Sequence, residues 1–208
     1  MAHYKVSVIM AAYNAEDTIE MALESIPDTP EVEIIVVDDG STDKTAQIVR
    51  TFGRAKLVKH DKNYGLGTAL NTGIDESQGE YLVMLDADDD FYPNPFLDCL
   101  DKLDGTDLVY FNLITNDGTI YDVTPNSKDI YCGQTKFMRS AFVGDTRYDE
   151  EAPVAEDVSF WYELKAKNPT EKFTGIVVKH YNSPREGSLT WRRQQGEFDD
   201  YLREKGEL

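Results

Sequence analysis

Short apolar runs alternate with amphipathic segments along the first 85 residues of the chain. Residues 6–10, 34–37 and 81–85 are mostly apolar runs of strand length, and a shorter run lies near residue 57. The segments between them carry apolar residues at helical spacing: Ile19, Ala22, Leu23 and Ile26, then Ile48, Val49 and Phe52, then Leu66, Ala69, Leu70 and Ile74. Asn14 is expected to cap the first helix, with Asp17 in the capping-box position. Three strand–helix repeats with short connections predict an α/β fold built on a parallel, doubly wound sheet.

The pattern changes after residue 105. A helix is predicted from Asn94, just before this change. After it, the sequence predicts a hairpin of residues 108–115 and 119–123, helices at 134–142 and 156–167, and a strand at 176–178. No internal repeat or low-complexity linker interrupts the chain. We therefore expect one domain over residues 1–208, with halves at 1–105 and 106–208.

Charge and composition narrow the possible partners. The 208 residues include 21 basic and 39 acidic ones, for a net charge of −18, which argues against general binding to nucleic acid or to an anionic lipid surface. Neither a signal peptide nor a membrane span is visible in the sequence. Cys99 and Cys132 show neither metal-ligand nor redox spacing, so we expect buried, reduced thiols in a cytoplasmic protein.

Four carboxylates directly follow the strand predicted at residues 81–85. Burial of unpaired charge is costly, so these acids must lie where the strand leaves the core. In an open parallel sheet, that edge is where ligands bind. Asp86 and Asp88 could converge on Mg²⁺ or Mn²⁺, whose remaining ligands would be water and phosphate oxygens. The alternative is an ordinary solvated acidic turn.

Two further polar clusters follow strands and should lie on the same edge. Asp39 could accept a hydrogen bond from a ring N–H of a nucleotide base, whereas Asp38 could simply cap a helix. Tyr13 could stack on that base, or it could be an ordinary half-buried aromatic. Residues 63–67 contain glycines suited to close backbone approach, including Gly65, but they lack the lysine of a phosphate-binding loop.

One acid in the second half is a candidate base. Asp157 lies at the predicted start of a helix, where it could either pair with the helix dipole or face the acidic cluster and remove a proton from an incoming hydroxyl. Residues 181–190 form a polar loop that could act as a lid. None of the three histidines shows ligand spacing, and only His180 lies close to that loop.

These segments, taken together, resemble the successive motifs of the family 2 glycosyltransferases. The resemblance is carried by residues 6–14, 34–43, 63–67 and 85–89, followed in order by residues 155–157 and 185–190. It spans nearly the whole chain, so it is far more specific than any single motif.

The resemblance implies a GT-A fold, a nucleotide-diphosphate sugar as donor, Mn²⁺ or Mg²⁺, and inversion at the anomeric carbon. Residues 1–105 would then bind the nucleotide sugar, and residues 106–208 would form the acceptor side. Asp86 and Asp88 would hold the metal, and Asp157 would be the catalytic base. The residues expected to bind the donor, UDP-linked if Asp39 contacts uracil, are Ala11, Tyr13, Asp39, Gly65, Asp86 and Ala87.

The chain departs from the family pattern at two places. Leu70 stands where an arginine is common, and the processive Gln-x-x-Arg-Trp signature is absent, which indicates transfer of a single sugar.

The acceptor would be a hydroxyl of a glycan, a lipid-linked glycan or another molecule. A homo-oligomer or a partner subunit could complete its site. The alternative functions are a nucleotidyltransferase, which would need a basic signature near the first strand, and a catalytically degenerate binding partner.

Overall fold

The three strands predicted in the first half are neighbouring, parallel strands of a sheet. The computed structural model describes residues 4–125, 134–152, 156–182, 192, 194–197 and 203. Its strands are β1 (Val6–Ala12), β2 (Val32–Asp38), β3 (Ala55–Lys59), β4 (Tyr81–Met84), β5 (Asp90–Phe91), β6 (Leu108–Thr115), β7 (Ile120–Tyr121), β8 (Lys136–Arg139) and β9 (Glu171–Tyr181). Its helices are α1 (Ile19–Glu24), α2 (Thr45–Phe52), α3 (Leu66–Asp75), α4 (Pro93–Leu100), α5 (Ser140–Val143) and α6 (Glu156–Ala166).

The strand order locates the edge at which a ligand can bind. Within the described residues, the sheet runs β3-β2-β1-β4-β8-β6-β9-β5, and β7 pairs with β6. β1 pairs in parallel with β2 on one side and with β4 on the other. The chain therefore changes direction across the sheet at β1, and a crevice opens there beyond the carboxyl ends of the strands. The loops after β1, β2 and β4 all reach this edge.

The second half continues the same sheet with mixed pairing. β8 is antiparallel to both β4 and β6, so it joins the strands of the two halves. β6 and β7 form the predicted hairpin, and β9 is parallel to β6. The result is the α/β sheet that the sequence predicted, with antiparallel strands added to a parallel half.

Two predicted elements are wrong. Asn14 does not cap α1: it has a positive φ of 48°, and its side-chain oxygen accepts the backbone N–H of Thr42 at 2.9 Å. Asparagine tolerates this left-handed conformation, and the bond to the neighbouring loop replaces the cap. The helix predicted at 134–142 is instead β8 followed by the short α5, because a short apolar run that pairs on both sides is indistinguishable from a buried helix by sequence alone.

Helices cover both faces of the sheet. Buried side chains of α1, α2 and α4 pack on one face with those of Val6, Val8 and Met10. The other face packs against α3, α5 and α6.

Of the two cysteines, Cys99 is buried and free, and burial raises its pKa to about 11; Cys132 lies outside the described residues. In the part of the chain that the structure describes, no helix is long and apolar enough to cross a bilayer.

A buried lysine links the last strand to the acidic segment after β4. The Lys179 side chain, on β9, is fully buried, and its Nζ lies 2.6 Å from Oδ2 of Asp89, which is also fully buried. Asp86 Oδ2 lies 4.0 Å from the same Nζ, and Gln134 accepts a hydrogen bond from it. The ammonium is therefore the counter-charge that allows Asp89 to be buried.

Lys179→Met should lower the free energy of unfolding by about 3–5 kcal/mol, because it leaves the Asp89 carboxylate buried without its partner. Lys172→Met is the matched control on the same strand. Its ion pair with Asp104 is solvent-exposed (34% and 58% of the side chains), and it should cost less than about 1 kcal/mol.

Chemical denaturation measures both values. The double variant Lys179→Met/Asp89→Asn should lose less stability than Lys179→Met alone, since the stranded charge is gone. Equal, small losses in Lys179→Met and Lys172→Met would show that the buried pair does not hold the strand to the acidic segment.

Candidate active site

The loops that follow β1 and β2 are bound together at the crevice. The backbone N–H of Ala15 donates to Thr45 Oγ1 at 2.8 Å, and the N–H of Asn14 donates to Ser41 Oγ at 2.9 Å. Tyr13 stands on this joined pair of loops with 51% of its surface exposed. A flat aromatic ring held on a fixed loop and open to solvent is available to stack on a ligand.

Asp39 lies directly beside these loops and is almost completely buried. Its Oδ1 accepts the backbone N–H of Tyr64 at 2.9 Å and lies 2.7 Å from His60 Nδ1. Its Oδ2 accepts the backbone N–H of Gly65 at 2.9 Å. Gly65 has a φ of 100°, which L side chains rarely adopt, so a glycine is what allows this loop to turn onto the carboxylate.

Asp39 was expected to use its oxygens on a ligand's ring N–H. The structure shows that Oδ1 is already occupied by two groups of the protein itself. Oδ2 accepts one N–H, and a carboxylate oxygen has capacity for a second. Asp38, the alternative helix cap, accepts the backbone N–H of Ser41 at 2.9 Å and pairs with Lys59 at 3.2 Å. Since α2 begins at Thr45, Asp38 fixes a turn before the helix rather than capping it.

The four acids after β4 have different surroundings. Asp89 is buried on Lys179, while Asp90 Oδ1 lies 2.9 Å from His180 Nδ1 and accepts Asn182 Nδ2 at 3.2 Å. Ala87 is buried. Asp86 retains 33% exposure and Asp88 is also partly exposed. The end of β9 therefore holds the segment in place while Asp86 and Asp88 reach solvent.

Burial and neighbouring charges shift the pKa values of Lys179 and Asp86. Burial disfavours the ammonium of Lys179, but the attraction of Asp89 and Asp86 outweighs burial and raises its pKa. Asp86 lies just after β4, and its side chain is partly exposed. Burial raises its pKa to about 7; the carboxylates of Asp89 and Asp88 also raise it, and Lys179 opposes the shift.

The loop before α6 is bound to α3. The side-chain N–H of Asn71 donates to the backbone oxygen of Tyr148 at 3.0 Å, and the Tyr148 N–H donates to Asn71 Oδ1 at 2.8 Å. The approach is close, because a Cβ at Gly67 would stand 2.8 Å from the backbone oxygen of Asp149. The Tyr148 ring stacks on Phe160 of α6 with 4.0 Å between centroids. These contacts fix α6 against the first half of the sheet.

The buried phenol of Tyr148 links Asp157 to the acidic segment. Burial raises its pKa well above the ordinary value, and the charges of Asp157, Glu156 and Asp86 raise it further. Asp157, in the first turn of α6, and Asp86, after β4, thus both contribute to the raised pKa of this one phenol from different halves of the sheet.

The sequence missed four residues that build this site. They are Asn71, Tyr148, His60 and Lys179. His60 contacts Asp39, and Lys179 pairs with Asp89 in the acidic segment. Asn71 and Tyr148 bind the loop before α6 to α3. Asn71 and Lys179 interrupt apolar patterns, so the sequence could have indicated that they are buried polar residues. Nothing in the sequence around Tyr148 or His60 indicates their role. Of the loop at residues 181–190 that is predicted as a possible lid, residues 183–190 lie outside the described residues.

Comparison with known proteins identifies the family. The model for "Glycosyl transferase family 2" matches residues 7–166. A glycosyltransferase of Rickettsia conorii is 28% identical over 213 residues, which cover 89% of this chain and 35% of the relative. The poly-β-1,6-N-acetyl-D-glucosamine synthase of Staphylococcus epidermidis is 40% identical over 88 residues, covering 40% of this chain and 21% of that enzyme.

Solved structures show the same fold. A crystal structure of S. aureus TarS, residues 1–349, in complex with UDP-GlcNAc has a TM-score of 0.77 and 29% identity, over 88% of this chain and 60% of TarS. The chain spans about a third of the length of its Rickettsia relative. The sheet is that of a GT-A fold, and the family match covers most of the chain. The chain belongs to glycosyl transferase family 2.

Proposed function

We propose that this chain carries out inverting, metal-dependent, non-processive transfer of one sugar from a UDP-linked donor to a hydroxyl of a glycan acceptor. The observation that carries the proposal is that the loop leading into α6 is bound through Tyr148 to Asn71 of α3, which fixes the helix of Asp157 against the half of the sheet that bears Asp86 and Asp88. A donor site and a base are thereby near one another, as transfer requires.

Donor binding would use the joined loops. Ala11 and Tyr13 would line the nucleoside pocket, and Asp39 would accept the ring N–H of the base through Oδ2. Gly65 would allow the backbone to approach, while Asp86 and Ala87 would lie beneath the diphosphate. Support for a UDP-linked donor comes from the likeness to TarS, which was solved with UDP-GlcNAc.

The acceptor would lose its proton to Asp157. An ionised carboxylate near neutral pH is a competent base for a hydroxyl that is becoming bonded to carbon. The acceptor oxygen forms its bond to the anomeric carbon as the bond to the diphosphate oxygen breaks, and nucleoside diphosphate leaves. A single in-line displacement inverts the configuration, so no covalent nucleophile is needed. The poly-N-acetylglucosamine synthase of S. epidermidis supports a glycan as acceptor.

The acidic segment suits a hard divalent cation. In the stretches of chain that are described, no group of three or more His, Cys, Asp or Glu side chains could hold a metal. Two carboxylates, Asp86 and Asp88, fit Mg²⁺ or Mn²⁺, which commonly take one or two carboxylates and complete their shell with phosphate oxygens and water. When bound, such an ion would stabilise the charge of the leaving diphosphate. Without a cation, the acids would repel an anionic donor.

Incubation with Mn²⁺ and a panel of nucleotide sugars tests the proposal. Release of nucleoside diphosphate, increased by a hydroxyl acceptor, is the expected result. Release of pyrophosphate would instead identify a nucleotidyltransferase. Release of neither product would indicate a non-catalytic binding partner, a reading that the missing arginine at Leu70 favours.

Asp157→Asn should lower the transfer rate by about 10²–10⁴-fold, because the proton acceptor is lost while the donor site is unchanged. Donor affinity, measured by calorimetry, should stay within about twofold. Glu163→Gln is the matched control, since it removes an exposed carboxylate from the same helix. Transfer at the full rate in Asp157→Asn would remove this residue from the mechanism.

Asp88→Ala should weaken Mn²⁺-dependent donor binding on the order of tenfold or more, because one of two carboxylate ligands is gone. Calorimetry with Mn²⁺ alone, and with donor in the presence and absence of Mn²⁺, separates metal binding from donor binding. Asp98→Ala, an exposed acid on α4, serves as control. Identical Mn²⁺ affinities in Asp88→Ala and Asp98→Ala would contradict the metal role.

A further inference from the structure

Asn182 lies just beyond the end of β9, beside the acidic segment that follows β4. β9 pairs with β5 so that His180 is opposite Asp90, and the same antiparallel register continued by two residues places Asn182 opposite Asp88. β5 begins at Asp90, so beyond that residue the two segments are joined through side chains.

The donor groups of Asn182 are all directed at this segment. Its backbone N–H donates to Asp89 Oδ1 at 2.8 Å. Its side-chain Nδ2 donates to the backbone oxygen of Asp88 at 2.7 Å and to Asp90 Oδ1 at 3.2 Å. A carbonyl oxygen can only accept, so the Asp88 contact fixes the amide with its nitrogen toward the segment. One residue of the second half therefore holds three consecutive residues that follow β4.

These hydrogen bonds act on a tight turn. The backbone N–H of Asp89 donates to the backbone oxygen of Asp86 at 3.1 Å, which closes a turn of residues 86–89. Asp86 and Asp88 are the first and third residues of this turn. The peptide group between Asp88 and Asp89 is thus held at both ends, its N–H by Asp86 and its oxygen by Asn182. Because a peptide group is planar, holding both ends fixes the direction in which the Asp88 side chain leaves the backbone.

We propose that Asn182 is a positioning residue that orients the Asp88 carboxylate and thereby sets the affinity of this turn for a divalent cation. The inference rests on the proposed function, in which Asp86 and Asp88 hold Mn²⁺ or Mg²⁺. Asn182 acts differently from Lys179: the ammonium neutralises Asp89 in the interior, whereas the uncharged amide holds the backbone of Asp88. Groups that orient the ligands of a metal commonly change its affinity by about 10–100-fold.

Asn182→Ala removes both amide hydrogen bonds and leaves the backbone N–H in place. The probe is Mn²⁺ alone, with the free ion followed by electron paramagnetic resonance, and the relevant site is the one that Asp88→Ala removes. Affinity at that site should be about tenfold lower in Asn182→Ala than in the parent protein.

Asn112→Ala is the matched control. Asn112, on β6, also donates its amide to a carboxylate, that of Asp122, at 2.8 Å, and to a backbone oxygen, that of Gly175, at 3.3 Å. None of these partners belongs to the acidic segment. Chemical denaturation should show a loss of stability in Asn112→Ala, while its Mn²⁺ affinity should stay within about twofold of the parent value.

Asn182→Leu separates the hydrogen bonds from packing, because it keeps a branched side chain of similar size and removes the amide. Its Mn²⁺ affinity should fall as far as that of Asn182→Ala. It also provides a second variant if the smaller side chain of Asn182→Ala leaves the chain unfolded.

The outcomes separate the two levels of the argument. Parent affinity for Mn²⁺ in Asn182→Leu would overturn the role of Asn182 and leave the proposed metal site standing. Equal losses of Mn²⁺ affinity in Asn112→Ala and the Asn182 variants would overturn it too, since the effect would then be one of general destabilisation. A parent protein with no Mn²⁺ site that depends on Asp88 would overturn both the inference and the proposed metal dependence.

Discussion

A carboxylate buried at the end of a strand needs a fixed counter-charge, and Lys179 supplies it to Asp89. Four acids within five residues would repel one another and open the turn if all were left to solvent. The ammonium of β9 takes one of them into the interior, and His180 and Asn182 hold another. The turn is therefore fixed before any ligand arrives. Asp86 and Asp88 can then face the crevice together.

The same constraint explains why the two halves depend on one another. β4 ends in the acidic segment, but the groups that hold this segment come from β9, far along the chain. In the reverse direction, the loop that leads into α6 is held by Asn71 of α3. Each half thus supplies buried polar partners to the other. Because an unsatisfied buried polar group is costly, the relative position of the halves is well determined.

Three acids at or beside the predicted site are held by residues that the sequence did not single out. Asp39 is held by His60, Asp89 by Lys179, and the helix of Asp157 by the Asn71–Tyr148 contact. These three are acids in a strongly acidic chain, and each of the groups that hold them donates a hydrogen bond or carries a positive charge. For a protein that would bind an anionic donor, this arrangement keeps the acids in place and leaves attraction of the diphosphate to a divalent ion.

The sequence by itself determined the alternation of strands and helices, the edge at which the acids lie, and the family motifs. These follow from local patterns: apolar runs, turn residues and carboxylates that must leave the core. It misassigned Asn14 and residues 134–142, since a loop-to-loop hydrogen bond and pairing on both sides of β8 overrode local preference. Only the tertiary structure decided that Lys179, His60 and Asn71 support the site. Their partners lie 90, 21 and 77 residues away along the chain, and no local pattern encodes which buried donor meets which acceptor.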